Sequence, residues 1–192
     1  MSAARPYRLA PAASRQRGLP AIGFEMTAPG DVELTPVGAG PQIVRCCERR
    51  PDGKTVGELE VSVFSAPLII DRDGILEERA RDVAEGAAHH AVSGTFAVSL
   101  PGASGYRADV EVRGRVRPPL PYVHVFAMAP PDGVDGGLLI TVRSATPEWP
   151  AAEAILGSLK LLTRHGTAPA NDVDAGPLLP VITTPADGRR GS

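Results

Sequence analysis

The sequence predicts an α+β domain: an antiparallel sheet of about six to eight strands flanked by two helices, an α/β/α sandwich, with a flexible arm at either end. Three observations carry this. Glycine and proline supply 21 and 20 of the 192 residues, which cuts the chain into short elements and leaves little room for long helices. Stretches of period two, bounded by Gly or Pro, recur along the chain, and only two stretches change to the helical period. Short hairpin-type loops join most of the strands, so sequence neighbours pair antiparallel.

Residues 22–28 read as a strand with Ile22, Phe24 and Met26 on one face, stopped by Pro29-Gly30, and 31–37 as a weaker extended piece. Residues 42–50 and 55–65 are strands joined by Pro51-Asp52-Gly53-Lys54, where proline presets φ and glycine takes the left-handed position. Leu59, Val61 and Val63 alternate with Glu58, Glu60 and Ser62, which makes one polar sheet face or an exposed edge. After Asp71-Arg72-Asp73, Ile75, Leu76, Ala80, Val83, Ala84, Ala87 and Ala91 recur at helical spacing, an amphipathic helix of about five turns. Its alanine-rich face is flat enough to lie close on a sheet. Strands 95–100, 105–113, 122–129 and 138–144 follow. The closing helix begins near Pro147 and Glu148 and gathers Trp149, Ala152, Ile155, Leu156 and Leu159 on one face; 160–163 returns as a short edge strand.

The folded body therefore spans 22–163, and about 140 residues bury roughly two-thirds of their unfolded surface. The ends, 1–21 and 164–192, hold no sustained period and read as flexible arms. The formal charge of −2 hides a segmentation: residues 1–24 are +4 through Arg5, Arg8, Arg15 and Arg17, residues 25–163 are −6, and the remainder is neutral. A basic arm of that kind folds onto its own acidic body, or reaches an acidic neighbour, in a salt-dependent way.

No stretch approaches the roughly 18 consecutive apolar residues of a membrane span. The apolar patch at 9–13 contains Pro11 and is shorter than a signal-peptide core, so the expectation is a cytoplasmic protein. The adjacent Cys46 and Cys47 point to opposite faces of a strand and read as free thiols. There is no G-x-G-x-x-G, no G-x-x-x-x-G-K-[ST], no G-x-S-x-G and no H-E-x-x-H. His89 and His90, neighbours near the end of the first helix, project about 100° apart, which suits chelation poorly. The sequence accordingly offers no catalytic residue, metal ligand or cofactor site. Four arginines without interleaved lysines or aromatics, beside an acidic body, do not make a nucleic-acid footprint.

Three groups are candidates for binding a partner protein. Arg113, Arg115 and Arg117 form a ladder on a connection between strands, which suits an anionic partner or, equally, a self-repelling edge that discourages aggregation. Tyr122, His124 and Phe126 share a strand face, either a groove for a peptide or core beneath the first helix. Leu178, Leu179, Val181 and Ile182 form an apolar segment of the kind that adds to a sheet edge on a partner or a neighbouring copy; the alternative is a plain tail.

Several local patterns meet in one family. Gly23-Phe24-Glu25-Met26-x-x-Pro29-Gly30, the helix after Asp73, Gly105-Tyr106-Arg107-Ala108, Tyr122-Val123-His124-Val125-Phe126 and Glu153-Ala154-Ile155-Leu156-x-Ser158-Leu159-Lys160 resemble the PsbP-like superfamily, which groups PsbP, Mog, DcrB and LpqN proteins. The resemblance implies an α/β/α sandwich without a shared catalytic site, whose members mostly bind other proteins. The export signal and lipidated cysteine of the LpqN pattern are not visible here. The leading expectation is a non-enzymatic adaptor or chaperone-like protein serving a secretion apparatus or a multi-subunit assembly. The alternatives are a structural subunit that assembles through its arms, and a small-ligand-binding domain with a pocket near His89, His90 or His124.

Overall fold

The computed structural model describes residues 3–66, 71–88, 92, 94–113, 118–131 and 136–162. Along the chain come β1 (Arg5–Leu9), α1 (Pro11–Gln16), β2 (Gly23–Ala28), β3 (Val32–Pro36), β4 (Gln42–Arg49), β5 (Thr55–Ser65) and α2 (Arg72–Ala88). They are followed by β6 (Thr95–Leu100), β7 (Ala103–Glu111), β8 (Tyr122–Ala129), β9 (Gly136–Ser144), α3 (Pro150–Ser158) and β10 (Lys160–Leu162). Seven strands make one sheet in the order β3-β4-β5-β9-β8-β7-β6, and a second sheet runs β1-β2-β10. All these pairings are antiparallel.

The alternation in β5 does what its period requires. Leu59, Val61 and Val63 face Val142, Ile140 and Leu138 of β9 on one side of the large sheet, and all six are fully buried. The turn before β5 closes as its sequence demands: Gly53 has φ +81°, and Arg50 N–H donates to Lys54 O at 2.9 Å. On the opposite face of the sheet, Leu76, Ala80, Ala84 and Ala88 of α2 pack on Ala108, Val110, Val123, Val125 and Ala127. Small side chains on both surfaces let helix and sheet approach closely.

The other layer differs from the expected sandwich. Instead of a helix alone, the second sheet and α3 cover the face that carries Leu59, Val61, Val63, Phe126 and Ile140, contributing Phe24, Met26, Trp149, Ile155 and Leu156 to the core. The reason is β2, an apolar middle strand that pairs on both sides. Its partners are the two ends of the body: Arg5 to Leu9 against Ala28 to Phe24, and Lys160 to Leu162 against Glu25 to Gly23. Ser158 Oγ continues that edge by accepting the Thr27 N–H at 2.8 Å, 131 residues away in sequence.

The N-terminal arm is therefore corrected as well. Residues 3–21 are not a flexible appendage, because β1 and α1 belong to the body. Leu9 is 5% exposed, Ser14 is fully buried and donates to Pro20 O at 2.7 Å, and the Tyr7 and Phe24 rings lie 5.7 Å apart. The arm does fold onto the acidic body, with Arg8 opposite Glu25, but strand pairing and burial hold it there along with any charge attraction. The tail, 164–192, lies outside the described residues, as does Thr163.

Cys46 and Cys47 are free and buried. Burial first, and then the neighbouring Cys47, push the Cys46 thiol from 9.0 up to about 12. Between those values the unfolded chain has released this proton and the native state still holds it, so stability falls as pH rises through that window. The expected slope from this thiol is up to about 1.4 kcal/mol per pH unit. Urea midpoints at pH 8 and pH 10.5 measure it, and Cys46→Ala must lose less between the two pH values than the parent.

Candidate functional site

The large sheet has two edges, β3 and β6, and the small sheet has β1 and β10. Natural edges carry charge, proline or a short length to prevent pairing with another chain. β3 carries Glu33 and Pro36, β1 carries Arg5, Pro6 and Arg8, and β10 is three residues long with Lys160. β6, Thr-Phe-Ala-Val-Ser-Leu, has neither charge nor proline, and among the described residues no strand pairs with its outer side.

Its two faces differ. Thr95, Ala97 and Ser99 lie opposite Ala108, Tyr106 and Ser104, on the α2 side, where Thr95 Oγ1 donates to Glu77 Oε1 at 2.6 Å. Phe96, Val98 and Leu100 occupy the other face. Leu100 joins the core, Val98 is half-buried, and Phe96 is 47% exposed, the one large hydrophobic side chain exposed among the described residues. The apolar row therefore climbs out of the core toward solvent along the strand.

Behind Phe96 lies a buried polar cluster. The Arg107 guanidinium carbon sits 5.1 Å from the Phe96 ring centroid, within cation–π range. Asp109 Oδ1 lies 3.1 Å from Arg107 Nε and 2.7 Å from His124 Nδ1. Burial pulls the Arg107 guanidinium below its ordinary pKa, and Asp109 opposes that. The carboxylate accepts from Nδ1, so in the neutral imidazole Nε2 carries the lone pair; Nε2 is buried with no hydrogen-bond partner among the described residues. What the cluster does mechanically is clear: one carboxylate ties Arg107 to β8 and fixes the charge beneath the Phe96 ring.

The residues singled out from the sequence fall apart in space. Arg113 is exposed and folds back on Glu111, with Nη2 at 2.8 Å from Oε2, while Arg115 and Arg117 lie outside the described residues. Tyr122 is half-buried, but His124 and Phe126 are 1% and 0% exposed, so that strand face is not a peptide groove. Phe126 is core, but it faces the second sheet and α3, not the first helix as the core alternative had it. Leu178, Leu179, Val181 and Ile182, with His89 and His90, lie outside the described residues. Phe96, Arg107 and Asp109 were not singled out. Their signal was the uncharged run 95–100, which marks a site only once that strand is known to be an edge.

A cavity of about 610 Å³ elsewhere is lined by Arg8, Glu25, Thr27, Ser158 and Lys160, among others. Two of its charges compensate, with Lys160 Nζ 3.9 Å from Glu25 Oε1. Among the described residues no group of three or more His, Cys, Asp or Glu side chains is arranged to hold a metal ion, and no helix is long and apolar enough to cross a membrane. Fold and site together define a mostly antiparallel α+β protein in which, among the described residues, β6 is the sheet edge without charge or proline. No family model matches the chain, and no curated protein matches its sequence.

Proposed function

We propose that the chain is a non-enzymatic protein-binding module, adaptor or chaperone-like, that takes an extended segment of a partner protein along β6. The observation that carries this is the edge itself: six uncharged residues whose outer side pairs with no strand among the described residues, with Phe96 exposed on a fixed cation. Added strands gain main-chain hydrogen bonds, each worth about 0.5–1.5 kcal/mol net, and alternate side chains supply specificity. Phe96 and Val98 favour a partner strand with apolar residues at alternate positions. Membership of the PsbP-like superfamily, an α/β/α layering in that family's sense, a cytoplasmic location and service to a secretion apparatus or multi-subunit assembly belong to the same proposal. The resemblance of the quoted motifs to that superfamily supports them.

A photo-crosslinking residue placed at Ala97, in the full chain and in its host, tests the reading. Discrete crosslinked proteins are expected at position 97, none at Thr35 on β3, and loss of the products in Phe96→Lys, a change at an exposed side chain that leaves the core intact. Identical products at both edges, or products indifferent to Phe96→Lys, overturn it. A product at twice the chain mass would instead favour the assembly alternative, with β6 pairing to β6 across a two-fold axis.

A further inference from the structure

We propose that this chain's own tail occupies β6 until a partner displaces it: residues 178–184 add to the edge as an antiparallel strand. This rests on the reading of β6 as a docking edge and names how that edge is regulated. The first support is where the tail starts. β10 ends at Leu162, and Leu161 N–H donates to Pro101 O at 3.0 Å, so the chain leaves the body beside the β6–β7 turn, at the Leu100 end of β6. A chain entering from that end runs antiparallel to β6.

Reach and composition agree with this. The 14 residues from Thr163 to Gly176 span up to about 50 Å when extended, and six paired residues need only about 20 Å. Residues 175–185, Ala-Gly-Pro-Leu-Leu-Pro-Val-Ile-Thr-Thr-Pro, carry no charge, whereas the tail on either side carries Asp172, Asp174, Asp187, Arg189 and Arg190. An uncharged apolar strand thus matches the one edge that has no charge to repel it.

The prolines set the register. A residue in an edge-added strand turns its N–H and C=O together toward the template or away from it, alternately. Pro180 has no N–H and must turn away, so Leu179, Val181 and Thr183 donate to β6. Pro177 and Pro185 share the parity of those donors and end the pairing on either side. The geometry yields a sharp contrast: Val181→Pro removes a donor facing β6, and Ile182→Pro removes one that faces away.

Amide hydrogen exchange on the full chain reads this directly. In Val181→Pro the outward-facing β6 amides are expected to exchange about tenfold faster, while Ile182→Pro keeps the parent rates. Crosslinking of a partner at position 97 is expected to rise in Val181→Pro, since the competing strand is gone. Equal β6 rates in the parent and both variants overturn the proposal, as does protection that disappears on dilution together with a dimer in light scattering, which assigns the tail to a second copy. If Val181→Pro opens β6 and position 97 still captures nothing, the docking reading falls and the tail assignment stands. If exchange is unchanged yet position 97 captures a partner, the tail assignment falls alone.

Discussion

Trp149→Ala is expected to lower the free energy of unfolding by about 3–5 kcal/mol, with the urea midpoint falling accordingly and the slope unchanged. Trp149 is 1% exposed, and its ring lies flat on Gly57 of β5. A Cβ built on Gly57 would come within 2.4–2.6 Å of three ring atoms, so that position is glycine because the indole needs the space. The indole Nε1–H also donates to Glu48 on β4, so one side chain ties the entrance of α3 to two strands of the large sheet. Truncation leaves a large void beneath α3 and a carboxylate without its donor. Domains of this kind have about 5–15 kcal/mol of stability in all, so this single change removes a large part of it. Gly57→Ala fails for the opposite reason, overpacking. The double variant Gly57→Ala/Trp149→Ala is expected to cost clearly less than the sum of the two, because the added methyl enters the vacated space. Strict additivity would mean that the ring and the glycine do not share that volume.

Asp109→Ala is expected to be as damaging, about 3–5 kcal/mol at neutral pH, because it removes the carboxylate that faces two buried groups at once. The Asp109 side chain is 10% exposed; it accepts from His124 Nδ1, whose side chain is 1% exposed, and forms an ion pair with Arg107, whose side chain is 7% exposed. Without it, the guanidinium keeps its charge in a dry setting and the imidazole loses its only described partner. Replacing all three by apolar residues of similar volume, Arg107→Met, Asp109→Leu and His124→Leu, is expected to recover most of the loss. Thermal unfolding of the single and triple variants measures both. The triple variant also separates stability from function: it removes the cation below Phe96, so crosslinking at position 97 must weaken although the fold has returned. Full capture by the triple variant would show that the cluster serves only the core.

Much of the body was legible because its periods are clean. The alternation at Leu59, Val61 and Val63 marks a strand, the Pro51–Lys54 sequence a turn, and the small-residue face of α2 a helix that lies on a sheet. β1 was not legible, since only Leu9 of its five residues is fully buried and a strand with one inward anchor has no readable period. What makes it a strand is β2, which needs partners on both sides, and that is a tertiary fact. The strand at Tyr122, His124 and Phe126 was found, but alternation cannot say which face meets solvent when both are covered, as they are for β8 between α2 and the second sheet. Phe96 was hidden for a related reason: a short apolar run looks the same at the centre of a sheet and at its rim. Only strand order tells them apart.

The pairing of β2 with both ends of the body also imposes a schedule on synthesis. β2 is complete early, flanked by β1, yet its other side stays open until residues 158–162 exist. At ordinary elongation rates, the 131 residues between Thr27 and Ser158 take on the order of ten seconds to make. During that interval Phe24 and Met26 lack most of the core that later covers them, and the nascent chain carries a half-built sheet. The last turn of α3 and the short strand β10 are therefore the latch of the domain: they decide when the half-built sheet of a growing chain closes.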